Sequence, residues 1–153
     1  MHYLETIWTR DEIAALPYFP ELLKTQRALE FHVPRFPELR CQESARVATR
    51  RIPELEELAG TFYAGPYAEW HAWNYDSKRN LIVDLSHRQY LPIVPGITVL
   101  SCHPSFIVKA AHTVEQRQAD LPLAEKVLKI LAQGNVKKEV GTFRQLSLSM
   151  INA

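Results

Sequence analysis

The chain has 153 residues, of which 46% are hydrophobic and 23% charged, and its net charge is +1. This composition is typical of one soluble globular domain, and it excludes a mainly disordered chain, a collagen-like fibre and a coiled coil. Balanced charge also argues against a nucleic-acid binder, which usually gathers a basic excess on one face.

No apolar stretch reaches the roughly 18 residues that span a bilayer, so no membrane association is expected. The first residues do not resemble a secretory signal. Two cysteines, Cys41 and Cys102, are too few for a disulfide framework. We therefore expect free thiols and a cytoplasmic location.

The N-terminal third predicts short helices separated by prolines. Thr9 would cap a first helix that ends before Pro17. A second helix is expected from Pro20 to about Glu30, because proline suits a first helical turn.

A third helix is expected over residues 38–52. Its apolar stripe would be formed by Leu39, Cys41, Ala45, Ala48 and Ile52. The small alanine side chains would let this helix lie close against a sheet.

Aromatic and β-branched residues dominate the middle of the chain. They predict strands at 60–64, 69–75 and 80–85, with a polar turn over 76–80 that makes the last two an antiparallel hairpin. Residues 97–101 and 106–109 would add further strands.

The C-terminal part predicts a helix over Leu121–Ala132, capped by Asp120 and ended by Gly134. Residues 142–150 would form a last strand. Helices followed by strands, then a helix and a strand, indicate the α+β class.

Three side chains in this arrangement suggest thiol chemistry. Cys41 lies near a helix start, His71 in the first arm of the hairpin and Asp84 at the end of the second arm. A turn centred between Ser77 and Lys78 would place His71 directly opposite Asp84. A nucleophilic thiol needs a base beside it and a third group that fixes the tautomer of that base.

Each of these residues also has a structural interpretation. Cysteine is often simply buried in a core, a strand histidine is usually a satisfied structural residue, and Asp84 would accept hydrogen bonds from the next turn. Cys102-His103 is predicted to be structural, because no carboxylate lies at a matching place.

Three sequence blocks carry a family resemblance. They are Cys41-Gln42-Glu43-Ser44-Ala45, His71-Ala72-Trp73-Asn74 and Leu81-Ile82-Val83-Asp84-Leu85-Ser86 with Gln89-Tyr90. They resemble the nucleophile helix, the His block and the Asp block of the transglutaminase-like superfamily, a branch of the papain-like cysteine-protease fold.

The resemblance implies a papain-like core in which the nucleophile-bearing helix packs on an antiparallel sheet. The single domain 1–153 would comprise a helical extension (1–37), a catalytic core (38–110) and a C-terminal helix and strand (111–153). Its activity would be cofactor-free acyl transfer: amide hydrolysis, deamidation or transamidation. The partner would be a protein or peptide with an amide or glutamine side chain.

The resemblance also implies roles for single residues. Cys41 would be the nucleophile, His71 the base and Asp84 the group that orients the imidazole. The Cys41 backbone N–H, at a helix N-terminus, and Gln42 would form the oxyanion hole. Gln26 and Trp70 are further candidates for the second donor by chemistry alone.

Trp70, Trp73 and Gln89 are the predicted substrate-binding residues. Alternation along a strand puts Trp73 on the same face as His71, where it would wall the cleft or pack in the core. Trp70 would point away from the cleft unless the strand bulges.

Two other interpretations use the same residues. A non-catalytic module that keeps the papain-like fold to bind peptides or proteins is the alternative function. Cys41, His71, Asp84, His87 and His103 are possible metal ligands, but their spacing matches no zinc motif, so no metal site is predicted.

Overall fold

The computed structural model describes residues 7–64, 67–89, 96–101 and 120–133; for 61–64 and 67–69 it describes the backbone alone. The helices are α1 (Arg10–Ala14), α2 (Phe19–His32), α3 (Cys41–Arg51) and α4 (Pro122–Ala132). The strands are β1 (Glu56–Ala64), β2 (Tyr67–Asp76), β3 (Leu81–Asp84) and β4 (Thr98–Ser101), with a 3-10 turn at His87–Gln89. This confirms the α+β class.

The first two helices confirm the predictions. The Thr9 side chain accepts the Glu12 N–H and the Glu12 carboxylate accepts the Thr9 N–H, so α1 begins with a capping box. α2 contains Pro20 in its first turn and extends two residues past the predicted end at Glu30.

α3 begins at Cys41, three residues later than the predicted start at Glu38. The chain before it turns instead, with a cis Phe36–Pro37 peptide and a φ of 57° at Leu39. L-residues avoid this left-handed region, at a cost on the order of 1 kcal/mol. Cys41 is therefore the first residue of the helix, where backbone N–H groups lack intrahelical acceptors.

The four strands form one antiparallel sheet in the order β1-β2-β3-β4. The hairpin exists, but the predicted register was wrong. Asn74 pairs with Val83 and Asp76 with Leu81, which places Asp84 opposite Trp73 and not opposite His71. The Arg79 N–H donates to the Asp76 side chain, so the turn is centred one residue later than predicted. A shift of two residues keeps every side chain on its face.

The chain before α1 lies along the outer edge of β4. Ile7 bridges to Leu100, the Trp8 N–H donates to the Val99 carbonyl at 2.8 Å, and the Trp8 indole donates to Ser101. β4 therefore has a backbone partner on the side away from β3.

The main apolar core joins the helices to the sheet. It includes Leu22 and Leu29 of α2, Val47 of α3, Val83 of β3 and Val99 of β4. Removing these side chains from water is the main force that holds the layers together.

α3 packs directly on the sheet. Four members of its predicted stripe are buried: Cys41, Ala45, Ala48 and Ile52. The fifth was wrong, because Leu39 lies before the helix and is exposed. Ala45 meets Ala59 of β1 and Ala72 of β2, and the buried Asn74 amide donates to the Ala45 carbonyl at 2.9 Å.

A buried polar cluster closes the turn end of the hairpin. Asp76 accepts a hydrogen bond from the Tyr18 hydroxyl at 2.7 Å and pairs with the Arg79 guanidinium at 3.1 Å. Burial and the bond to Asp76 raise the pKa of Tyr18. The pKa of Asp76 is lowered, because its hydrogen bonds from Tyr18 and Arg79 outweigh its burial.

α4 corrects one prediction about capping. Leu121 is its N-cap and Pro122 its first residue, and no side chain of the N-cap makes a capping bond. The helix begins one residue later than expected, so Asp120 lies before the cap position.

Several predictions fall outside the described residues: the strands at 106–109 and 142–150, Gly134, Tyr90 and the Cys102-His103 pair. Among the helices of the described ranges, none has both the length and the apolar character that crossing a membrane requires.

Candidate active site

The hairpin brings His71 of β2 and Asp84 of β3 into direct contact. His71 Nε2 lies 2.6 Å from Asp84 Oδ2, and both side chains are almost fully removed from solvent, with 0% and 2% exposed. Asp84 lies diagonally across from His71 rather than opposite it, within the reach of long side chains across a strand pair. The predicted pair is therefore present despite the register error.

Asp84 is held by four hydrogen bonds. Its Oδ1 accepts from the Ser86 N–H at 2.9 Å and from the Ser86 hydroxyl at 3.0 Å. Its Oδ2 accepts from His71 and, at 3.1 Å, from Nδ1 of the buried His87. These donors replace the water that a buried carboxylate loses.

The pKa values of the pair move apart. Burial raises the pKa of Asp84, but the His71 charge and the hydrogen bonds from His71 and His87 outweigh it and lower the pKa well below its ordinary value. Burial lowers the pKa of His71, but the Asp84 charge and hydrogen bonds with Asp84 and Cys41 raise it to about 9. Asp84 is thus an acceptor at neutral pH, and the facing ring nitrogens of both histidines carry protons.

Cys41 lies at the helix terminus beside this pair. It is a free thiol, 8% exposed, and packs with Ala45, Ala59 and Ala72. The Cys41 thiol is one of the groups that raise the pKa of His71, after the charge and hydrogen bond of Asp84. Because His71 Nε2 is engaged by Asp84, Nδ1 is the ring nitrogen that a thiol would use.

Gln89 connects His71 to the loop that precedes α3. Its Oε1 accepts the Leu39 N–H at 3.2 Å, and its Nε2 lies 3.5 Å from His71 Nδ1. The Leu39 bond fixes which end of the amide carries the oxygen, so the NH₂ group faces His71. Leu39 itself is 77% exposed.

The two tryptophans differ in position. Trp73 is buried and stacks on His71, with ring centroids 6.0 Å apart. Trp70 packs against the cluster that contains Cys41, and its buried indole N–H has no hydrogen-bond partner. Trp70 was expected to point away from the cleft unless the strand bulges, and this stays a prediction. Substrate contact by either residue stays a prediction, as does the oxyanion role of Gln42.

One group of possible metal ligands occurs among the described residues: His71, Asp84 and His87, whose ligand atoms lie within 4.8 Å of one another. Ligands about 2.0–2.1 Å from a tetrahedral zinc are separated by about 3.3 Å. The 2.6 Å between His71 Nε2 and Asp84 Oδ2 is shorter and suits a hydrogen bond. The geometry favours proton transfer over metal binding.

From the sequence, His87 was predicted only as a possible metal ligand, and Ser86 had no predicted role in the site. An aspartate followed two residues later by serine is a signal for a turn in which the carboxylate accepts the backbone N–H. The histidine after it was the further clue, because a tight turn returns that side chain to the carboxylate.

Comparison with protein-family models, with curated proteins and with solved structures finds no match to this chain. Function is therefore inferred from the chain's own residues.

Proposed function

We propose that the chain is a cysteine-dependent acyl-transfer enzyme with a papain-like, transglutaminase-like core. The observation that carries the proposal is the buried 2.6 Å contact between His71 Nε2 and Asp84 Oδ2. It is supported by the Cys41 thiol, which is the first residue of α3 and contributes to the raised pKa of His71.

In the first step the Cys41 sulfur, its proton taken by His71 Nδ1, attacks the carbonyl carbon of an amide. A C–S bond forms and the carbonyl electrons move to oxygen. The tetrahedral oxyanion accepts the Cys41 backbone N–H, at the positive end of the helix dipole.

The oxyanion then collapses and the C–N bond breaks. His71 gives its proton to the leaving nitrogen, which leaves a thioester on Cys41. Water or a second amine attacks the carbonyl carbon of this thioester and loses a proton to His71. The C–S bond then breaks, the acid or new amide is released, and the proton returns from His71 to the Cys41 sulfur. Throughout, Asp84 holds Nε2–H and stabilises the imidazolium.

The substrate class we propose is a protein or peptide with an amide or glutamine side chain. Water as acceptor gives hydrolysis or deamidation, and an amine gives cross-linking. The exposed Leu39 and partly buried Trp70 flank Cys41 and supply apolar contacts for such a chain. The chemistry needs no cofactor, and we propose a cytoplasmic setting for it.

The burial of the triad favours a second candidate, the non-catalytic interaction module. With Cys41 8% exposed and His71 fully buried, a substrate carbonyl must reach a recessed sulfur. The two functions differ in whether Cys41 reacts.

Iodoacetamide alkylation, followed by mass spectrometry of the Cys41 and Cys102 peptides, separates them without a known substrate. We expect Cys41 to be alkylated rapidly at neutral pH in the wild type. His71→Ala should slow it about 100-fold, since the imidazole no longer takes the thiol proton.

Cys102 in the same chain is the internal reference, and the His71→Ala spectrum by circular dichroism checks folding. A Cys41 that reacts no faster than a small free thiol, and equally in His71→Ala, would contradict the enzyme and favour the interaction module.

A further inference from the structure

The oxyanion hole still lacks a second donor. A thiol nucleophile at a helix start has one N–H of its own, but a developing oxyanion gains most from two donors fixed in advance. Gln42 was predicted for this role from its place in the sequence. The contacts of the site indicate another glutamine.

We propose that the carboxamide of Gln89 is the second oxyanion donor, a role that rests on the acyl-transfer function proposed above. Gln89 Nε2 lies 3.5 Å from His71 Nδ1, and Gln89 Oε1 accepts the N–H of Leu39, two residues before Cys41. The amide is therefore held between the imidazole and the segment that leads into the nucleophile.

The orientation of the amide is fixed from outside the reacting groups. Gln89 Oε1 accepts the Leu39 N–H at 3.2 Å, and Leu39 is held in a left-handed conformation two residues before Cys41. With the oxygen committed to Leu39, the NH₂ group faces the imidazole of His71. A donor placed in this way needs no reorganisation during the reaction.

The protonation state of His71 keeps this donor available to the substrate. Despite its burial, the Asp84 charge raises the pKa of His71 to about 9, so Nδ1 carries a proton at neutral pH and does not accept the Gln89 N–H. The Gln89 N–H can therefore donate to the substrate oxygen when negative charge develops there.

The test compares two reactions of the same sulfur. Acylation by p-nitrophenyl acetate passes through an oxyanion, whereas alkylation by iodoacetamide displaces iodide and forms none. Gln89→Met, which removes the amide hydrogens at similar side-chain length, should slow acylation about 100-fold. The alkylation rate should stay within about threefold of the wild-type rate, because alkylation forms no oxyanion that the donor could stabilise.

Gln89→Glu is the second variant, because it keeps an acceptor for the Leu39 N–H and loses the donors. It should also lose acylation. Gln133→Met, at the end of α4, is the matched control, and circular dichroism checks folding of each variant.

Parallel losses of acylation and alkylation in Gln89→Met would overturn the proposal, because Gln89 would then act by positioning His71. Unchanged acylation would overturn it too, as would a loss in Gln42→Met that Gln89→Met does not show. Failure of the acyl-transfer function itself is distinguishable: Cys41 in the wild-type chain would then show no His71-dependent alkylation.

Discussion

Two aspartates lie buried at opposite ends of the same hairpin, and their partners differ. Asp76, at the turn end, is satisfied by the Tyr18 hydroxyl and by Arg79, whose charge is permanent. Asp84, at the other end, is satisfied by Ser86 and by two imidazoles. Both carboxylates have lowered pKa values.

The difference lies in what the partners can do with a proton. The arginine beside Asp76 cannot lose its proton at physiological pH, so that cluster only holds the turn in place. The imidazole beside Asp84 can lose and regain its proton, because its pKa of about 9 lies far below that of an arginine. Burial of a charged pair therefore does not by itself indicate a catalytic site; a partner that titrates, next to a thiol, does.

The largest expected effect comes from exchanging each carboxylate for an amide. Asp84→Asn should lower acylation of Cys41 by p-nitrophenyl acetate about 1000-fold or more, because the amide selects the wrong His71 tautomer and stabilises no imidazolium. Asp76→Asn should leave acylation within about threefold and lower stability to urea by about 1–3 kcal/mol.

Circular dichroism shows whether both variants fold. A folded Asp76→Asn as inactive as Asp84→Asn would break the comparison, because the turn cluster would then belong to the site.

The second prediction concerns alkaline stability. The His71 pKa is raised from 6.5 to about 9, so its stabilisation is fully present below pH 6.5 and lost as the pH rises to about 9. The loss should be on the order of 3 kcal/mol. Urea unfolding from pH 6 to 9.5 measures it, with reducing agent present.

The control for this profile is His71→Gln, which keeps a donor toward Asp84 but does not titrate. Its stability should be flat over the same range. The turn end contributes no slope there, because Tyr18, with its raised pKa, loses stability only above pH 10. A wild-type profile that is flat to pH 9.5 would show that the imidazole carries no extra proton.

The smallest effect comes from removing one side-chain donor from each carboxylate. Tyr18→Phe and His87→Leu should each lower the free energy of unfolding by about 1–3 kcal/mol, because each leaves a buried carboxylate with one bond fewer. Only His87→Leu should also slow acylation, since Asp84 loses the donor on the oxygen that meets His71. Equal acylation rates in the two variants would show that His87, like Tyr18, contributes to stability and not to acylation.

The sequence predicted those features that depend on neighbouring residues. The Thr9 cap, the buried stripe of α3 and the polar turn after β2 each follow from local spacing and were confirmed. The contact between His71 and Asp84 was also predicted, because the hairpin brings the two arms together whichever of the two registers it takes.

Features that depend on the tertiary setting were missed. The register differs by two because the Asp76 side chain accepts the Arg79 N–H and Asn80 adopts a φ of 55°, which local propensity does not specify. α3 starts late because the loop before it is held by contacts with distant residues, including Gln89. His87 was not placed on Asp84, since a one-dimensional pattern does not show where a turn returns a side chain.

The pairing of Ile7 and Trp8 with β4 has a consequence for the order in which the chain folds. Their partners, Leu100 and Val99, lie more than 90 residues further along. During synthesis the segment that contains Ile7 and Trp8 therefore stays unpaired until β4 has been made. Contacts of such long sequence separation slow folding, because a large loop must close before they form. We expect the contact of Ile7 and Trp8 with β4 to be the last part of the sheet to form during synthesis. In a protein that lacks residues 1–8, the bare edge of β4 would be able to pair with a second chain.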